Sequence, residues 1–136
     1  MPSILLVEDD PQLLILYRRF LEGAGYGVRM AGTGCSALRE MREQTTDLVI
    51  TDLLMPEGDG FDLLRKMRDL PQAPSVIVMT GGGRHLSSAF LLDTARALGA
   101  RAILHKPFTE EVLLQTVREA LAGGTRRSPP AHAETD

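Results

Sequence analysis

LVITDLLMPEGDG (residues 48–60) decides how this chain is to be read. Its opening Leu-Val-Ile-Thr is apolar and β-rich enough for a strand buried on both faces, yet the run ends on a carboxylate, Asp52, with Pro56 and a Gly-rich turn close behind. A carboxylate at the edge of an apolar core is costly unless a cation meets it. Asp52 therefore lies either in a solvated turn or in a site. Asp before Leu-Leu-Met-Pro is not a preferred turn sequence, which weakens the first alternative.

Working outward, runs of the same kind recur: SILLV (3–7), YGVRM (26–30), DLVIT (47–51), SVIVM (75–79) and AIL (102–104). Segments of helical periodicity separate them. Leu13, Leu14, Leu16, Tyr17, Phe20 and Leu21 make one apolar face, closed by Gly23 and Gly25. Ala37, Leu38 and Met41 make a weaker second; Phe61, Leu64, Met67 and Leu70 make a third. Residues 86–98, closed by Gly99, make a fourth, and Val112, Leu113, Thr116, Val117, Ala120 and Leu121 a fifth. Thr109 is the expected N-cap of that last helix, with Glu110 and Glu111 on the positive end of its dipole. Five strands alternating with five helices predict an α/β, doubly wound parallel sheet, because parallel neighbours need crossover connections.

At 136 residues the chain suits one domain with a core of Leu, Val, Ile and Met, there being no tryptophan. A net charge of -3 gives no basic field for nucleic acid, and no run approaches the length of a membrane span. The single cysteine, Cys35, rules out an internal disulfide, and MPSILLVEDD lacks the pattern of a secretory leader, so a reducing cytoplasm is the expected compartment. From 123 to 136, Gly, Pro and small polar residues replace periodicity, and a disordered tail is expected after a folded unit of residues 1–122.

Ligands of open parallel sheets bind at the carboxyl ends of the strands. There the chain places Glu8-Asp9-Asp10, Asp52, Thr80 with Gly81-Gly82-Gly83, and His105-Lys106-Pro107, whereas the second strand ends on uncharged Ala31-Gly32. Taken alone, the first acids read as a helix cap before Pro11, Lys106 as a surface lysine and Thr80 as an ordinary strand end. Together they make a hard oxygen site suited to Mg²⁺, beside a carboxylate able to accept a phosphoryl group and a lysine and hydroxyl able to hold its oxygens. Cys35 and the scattered His85, His105 and His132 suggest no metal site or nucleophilic dyad, and the triple glycine matches neither nucleotide-binding loop.

LLVEDD (5–10), TDLLMPEGDG (51–60), MTGGG (79–83) and LGARAILHKPF (98–108) resemble the receiver domain of two-component response regulators over roughly residues 3–122. The resemblance implies a flavodoxin-like strand order 2-1-3-4-5. It also implies that Asp52 accepts a phosphoryl group from a histidine kinase or histidine phosphotransfer protein in a phosphorelay. Asp9 and Asp52 then bind Mg²⁺ directly, with the Leu54 carbonyl, and Glu8 holds a metal-bound water. Thr80 turns onto a phosphoryl oxygen, Lys106 bridges acid and phosphate, and the Lys106–Pro107 peptide is cis. Asp10 is read as a helix N-terminal acid, and Asp59-Gly60 as a turn into the next helix. The protein so implied is no enzyme beyond Mg²⁺-dependent self-phosphorylation and slow self-dephosphorylation, and it acts by switching a protein partner, with no direct binding of nucleic acid or membrane.

Two departures stand out. Ile103 occupies the position, three residues before the lysine, where the family carries an aromatic, and the stretch between Thr80 and Lys106 looks longer than usual. Leu54 and Gly82, at positions that tune attack of water on the acyl phosphate, offer no polar side chain, so slow hydrolysis is expected. The competing readings are the receiver part of a DNA-binding transcriptional regulator lacking its output domain, and an aspartate-nucleophile Mg²⁺ phosphatase. The first would want a basic helix-turn-helix segment after residue 125; the second wants an acid two residues beyond Asp52, where Leu54 stands.

Overall fold

The computed structural model describes residues 2–53, 60–81 and 88–123. In chain order they form β1 (Ser3–Val7), α1 (Pro11–Gly23), β2 (Gly27–Ala31), α2 (Gly34–Glu43), β3 (Leu48–Asp52), α3 (Gly60–Arg68), β4 (Ser75–Thr80), α4 (Ser88–Ala97), β5 (Ala102–His105) and α5 (Glu110–Ala122). All neighbouring strands pair parallel in the order β2-β1-β3-β4-β5. Alternation along each strand sends successive side chains to opposite faces. Leu5, Val7, Val49, Val76 and Val78 pack with Ala37 and Leu38 of α2, Leu63, Leu64 and Met67 of α3, and Ala95 of α4. Ile4, Leu6, Leu48, Ile50, Ile77 and Met79 pack on the other side with Tyr17 and Leu21 of α1 and Leu113, Val117 and Ala120 of α5. The doubly wound sheet is thus present, and its three central strands are covered on both faces, as their unbroken apolar runs require.

The helix boundaries follow local chemistry. Asp10 is the N-cap of α1: its Oδ1 accepts from the N–H groups of Gln12 and Leu13 at 2.9 and 3.4 Å, with Pro11 in the first turn. Thr33 and Ser36 form a reciprocal capping box on α2, and the Thr109 hydroxyl caps α5 through the Val112 N–H. Gly25 and Gly99 take positive φ, +96° and +100°, and turn the chain out of α1 and α4, where a side chain would be strained.

Two residues expected on buried faces are exposed: Leu16 in α1 and Val112 in α5. At about 100° per residue the six apolar positions of α1 span roughly 160°, wider than a helix lying on a sheet covers, and Leu16 stands at the rim of that arc. The expected strands are also displaced by a residue at some ends. β2 runs one position later, and β3 and β4 extend to Asp52 and Thr80, so both polar residues lie inside the strands and are held by the ladder.

Candidate functional site

Register alone builds a descending row of polar ends. Val7 pairs with Thr51, Asp52 with Met79, and Thr80 with His105, so Glu8, Asp52, Thr80 and Lys106 emerge on adjacent strands at one edge. Backbone bonds extend the ladder just past the last paired residues. The Glu8 N–H donates to the Ala31 carbonyl at 3.1 Å, the Leu53 N–H to Met79 at 2.8 Å, and the Lys106 N–H to Thr80 at 2.8 Å. The Lys106–Pro107 peptide is cis.

The side chains then meet. The Lys106 Nζ donates to Glu8 Oε1 at 2.7 Å and to Asp52 Oδ2 at 3.0 Å. The second Glu8 oxygen accepts the Asp10 N–H at 3.0 Å. Glu8, Asp9 and Asp52 each bring a carboxylate oxygen within 4.8 Å of the others, with Asp9 exposed and the other two buried. Thr80 is buried at the end of β4. Three carboxylates beside one ammonium leave the cluster net negative, a donor set of hard oxygens matched to a small divalent cation.

Burial pushes the Glu8 carboxyl above the ordinary carboxylate range. The Lys106 and Asp10 hydrogen bonds pull the other way and do not overcome it, while the Asp52 charge adds to the rise. For Lys106, burial also opposes the charged form, but the hydrogen bonds and charges of Glu8 and Asp52 outweigh it and hold its pKa above the usual lysine value. The asymmetry has a simple origin: Lys106 is favoured as an ion by two carboxylates, whereas Glu8 has one ammonium and the opposing charge of Asp52. One ammonium serving two carboxylates is secured as an ion more firmly than Glu8 is.

A family model described as the response regulator receiver domain matches residues 4–118. The chain belongs to that family. Among curated relatives it is 36% identical to the transcriptional regulatory protein CpxR of Escherichia coli over 121 residues, which is 89% of this chain and 50% of CpxR. It is 33% identical to the transcriptional regulatory protein AfsQ1 of Streptomyces coelicolor over 128 residues, 94% of this chain and 55% of that protein. The receiver chain thus spans about half the length of these relatives. The solved structure of the chemotaxis response regulator CheY4 of Vibrio cholerae superposes with a TM-score of 0.81 at 29% identity, covering 89% of this chain and 99% of that one. A putative response regulator from Chloroflexus aurantiacus gives 0.80 at 32% identity, with coverage of 90% and 99%.

Within this receiver fold, Glu8, Asp9, Asp52 and Lys106 are brought together, with Thr80 on the adjoining strand end. The Leu54 carbonyl, Gly82 and the Asp59 half of the expected turn lie outside the described residues, as do residues 124–136. Ile103 is half-buried against the α2–α3–α4 side of the core. Two features were not anticipated from the sequence: the direct grip of Lys106 on Glu8, and the position of Tyr17. Tyr17 was counted only as part of an apolar helix face, yet its ring stacks on Phe108 at 4.9 Å between centroids and 24° between planes. An aromatic in α1 together with an aromatic two residues after the lysine was the available signal.

Proposed function

We propose that this receiver is a phosphorylation-controlled switch in a phosphorelay, in which Asp52 accepts a phosphoryl group from a phosphohistidine of a histidine kinase or histidine phosphotransfer protein. The observation that carries the reading is the grip of Lys106 on Asp52 and Glu8, with Asp9 beside them, in a chain of this family. The cluster's carboxylate oxygens fit Mg²⁺, with Asp9, Asp52 and the Leu54 carbonyl as direct ligands. Glu8, whose two oxygens already accept from Lys106 and the Asp10 N–H, acts through a water. When bound, Mg²⁺ supplies neutralisation of the phosphoryl oxygens.

A carboxylate oxygen of Asp52 attacks phosphorus, the donor's P–N bond breaks with its electron pair returning to the ring nitrogen, and an acyl phosphate remains on Asp52. Lys106 pairs with one phosphoryl oxygen and Thr80 donates its hydroxyl to another, so the new charge is read at the ends of β4 and β5. A protein partner that binds this edge differently in its two states is thereby switched. The deciding experiment is phosphorylation by a small acyl-phosphate donor with Mg²⁺, followed by intact mass. One phosphoryl group that maps to Asp52 supports the reading, and incorporation at any other residue rejects it.

Two expectations follow here. Adding Mg²⁺ raises the melting temperature, since an ion at 100 times its Kd stabilises by about 2.7 kcal/mol. Asp9→Asn abolishes that rise; an equal rise in the variant moves the metal elsewhere. The phosphorylated form hydrolyses slowly, because Leu54 and Gly82 orient no water. A Leu54→Asn, Gly82→Glu double variant shortens the phospho-Asp52 half-life, and an unchanged or lengthened half-life by acid-quench assay contradicts the assignment.

A second reading is favoured by the relatives, which are named transcriptional regulatory proteins and are about twice as long as the stretch they share with this chain. In it the receiver governs a DNA-binding output joined to it. An antiserum against the receiver separates the two in a cell extract. A band at 14.8 kDa supports a separate partner, and one about twice as heavy supports the second reading.

A further inference from the structure

Lysine has a four-carbon stem with several rotatable bonds, so an ammonium that serves two carboxylates at once needs a fixed backbone beneath it. On one side of Lys106 that backbone is fixed by its N–H bond to the Thr80 carbonyl. On the other side, Pro107 is exposed and Thr109 is engaged as the cap of α5. Phe108 is left as the side chain of this segment that reaches the core, where it packs with the α1–α5 cluster and stacks on Tyr17. Tyr17 itself is 4% exposed, anchored in the middle of α1.

We infer that Tyr17 is a positioning residue for Lys106: its ring holds Phe108, and through Phe108 the backbone that aims the ammonium at Asp52 and Glu8. The phenol lies in the field of that same cluster. Burial raises its pKa, with Lys106 acting against the rise and Glu8, Asp52 and Asp10 adding to it. A tyrosine that merely filled the core would affect stability without regard to the lysine.

The inference deepens the phosphorylation reading and rests on it for one of its two measurements. Beryllofluoride stands in for the phosphoryl group and needs the lysine; Mg²⁺ alone is held without it. By calorimetry, Tyr17→Leu and, from the other half of the stack, Phe108→Leu weaken beryllofluoride binding by about tenfold, the scale of a displaced catalytic group. They leave Mg²⁺ binding within about twofold, and Tyr17→Phe, which keeps the ring, restores wild-type behaviour. In a Lys106→Met background, Tyr17→Leu weakens beryllofluoride no further. Parallel loss of Mg²⁺ and beryllofluoride binding, or an equal effect with and without the lysine, overturns the assignment.

The second measurement needs no ligand. In denaturant unfolding, Tyr17→Leu and Lys106→Met depart from independence by a factor of about three or more in the equilibrium constant. Independent effects overturn the positioning role even if the wild type binds beryllofluoride. A wild type that ignores beryllofluoride overturns the phosphorylation reading and leaves the coupling to be decided by unfolding alone.

Discussion

Lys106→Met destabilises the protein by about 3 kcal/mol at neutral pH, the lower end for a broken buried ion pair, because protonation of Glu8 caps the penalty. The substitution keeps the stem and removes the charge. Glu8, 1% exposed, then loses the ammonium that its Oε1 accepts from at 2.7 Å. The loss depends on pH in a defined sense. Burial already raises the Glu8 pKa above 4.5, and removing Lys106 removes its hydrogen bond, the largest opposing influence, together with its charge, leaving the Asp10 N–H bond in opposition. Between 4.5 and the raised value the folded state binds more protons than the unfolded one, so stability falls as pH rises through that window. Unfolding the variant at pH 4 and at pH 7.5 gives a small deficit at the first and the full deficit at the second. In the wild type the Lys106 contribution needs ionised carboxylates at the acid end, and at the alkaline end it is lost as pH climbs through the raised lysine pKa. A deficit that is equal at both pH values removes the triad from any role in stability.

Asp52→Asn lowers phosphoryl incorporation by at least about a thousandfold, as loss of a nucleophile does, because an amide cannot form the acyl phosphate. The melting temperature does not fall with it. Lys106 loses its 3.0 Å contact to Asp52 but keeps the 2.7 Å contact to Glu8, and one of three mutually repelling carboxylates is gone. The gain from reduced repulsion offsets the lost contact. The pairing of results separates the chemistry from the fold: incorporation that persists, or a melting temperature lower by several degrees, contradicts the assignment of Asp52 as acceptor at a tolerant site.

The sheet was legible because short, continuous apolar runs and helical segments alternate along the chain, and because Gly25 and Gly99 mark where α1 and α4 stop. The polar cluster was legible as well, since a parallel sheet sends the residue after each strand to one edge, whatever the details of packing. Contacts made across α1 were not. Nothing local to Tyr17 distinguishes a residue that fills the core from one that grips a loop 91 residues later, and the extent to which α1 leaves Leu16 in solvent depends on how much of the helix the sheet covers. The burial of Glu8 was not legible either. The strand's apolar parity ends at Val7, so the sequence leaves open whether the next side chain is buried, and the structure buries it with the lysine for a partner.

The two bonds of the Lys106 ammonium span 98 and 54 residues of sequence. A chain emerging from the ribosome therefore displays its acids long before the cation that tempers them, and β5 must add to the sheet's margin before the pair can close. On the proposed reading, the acceptor carboxylate gains its lysine only with the final strand, so a half-made molecule lacks the complete site.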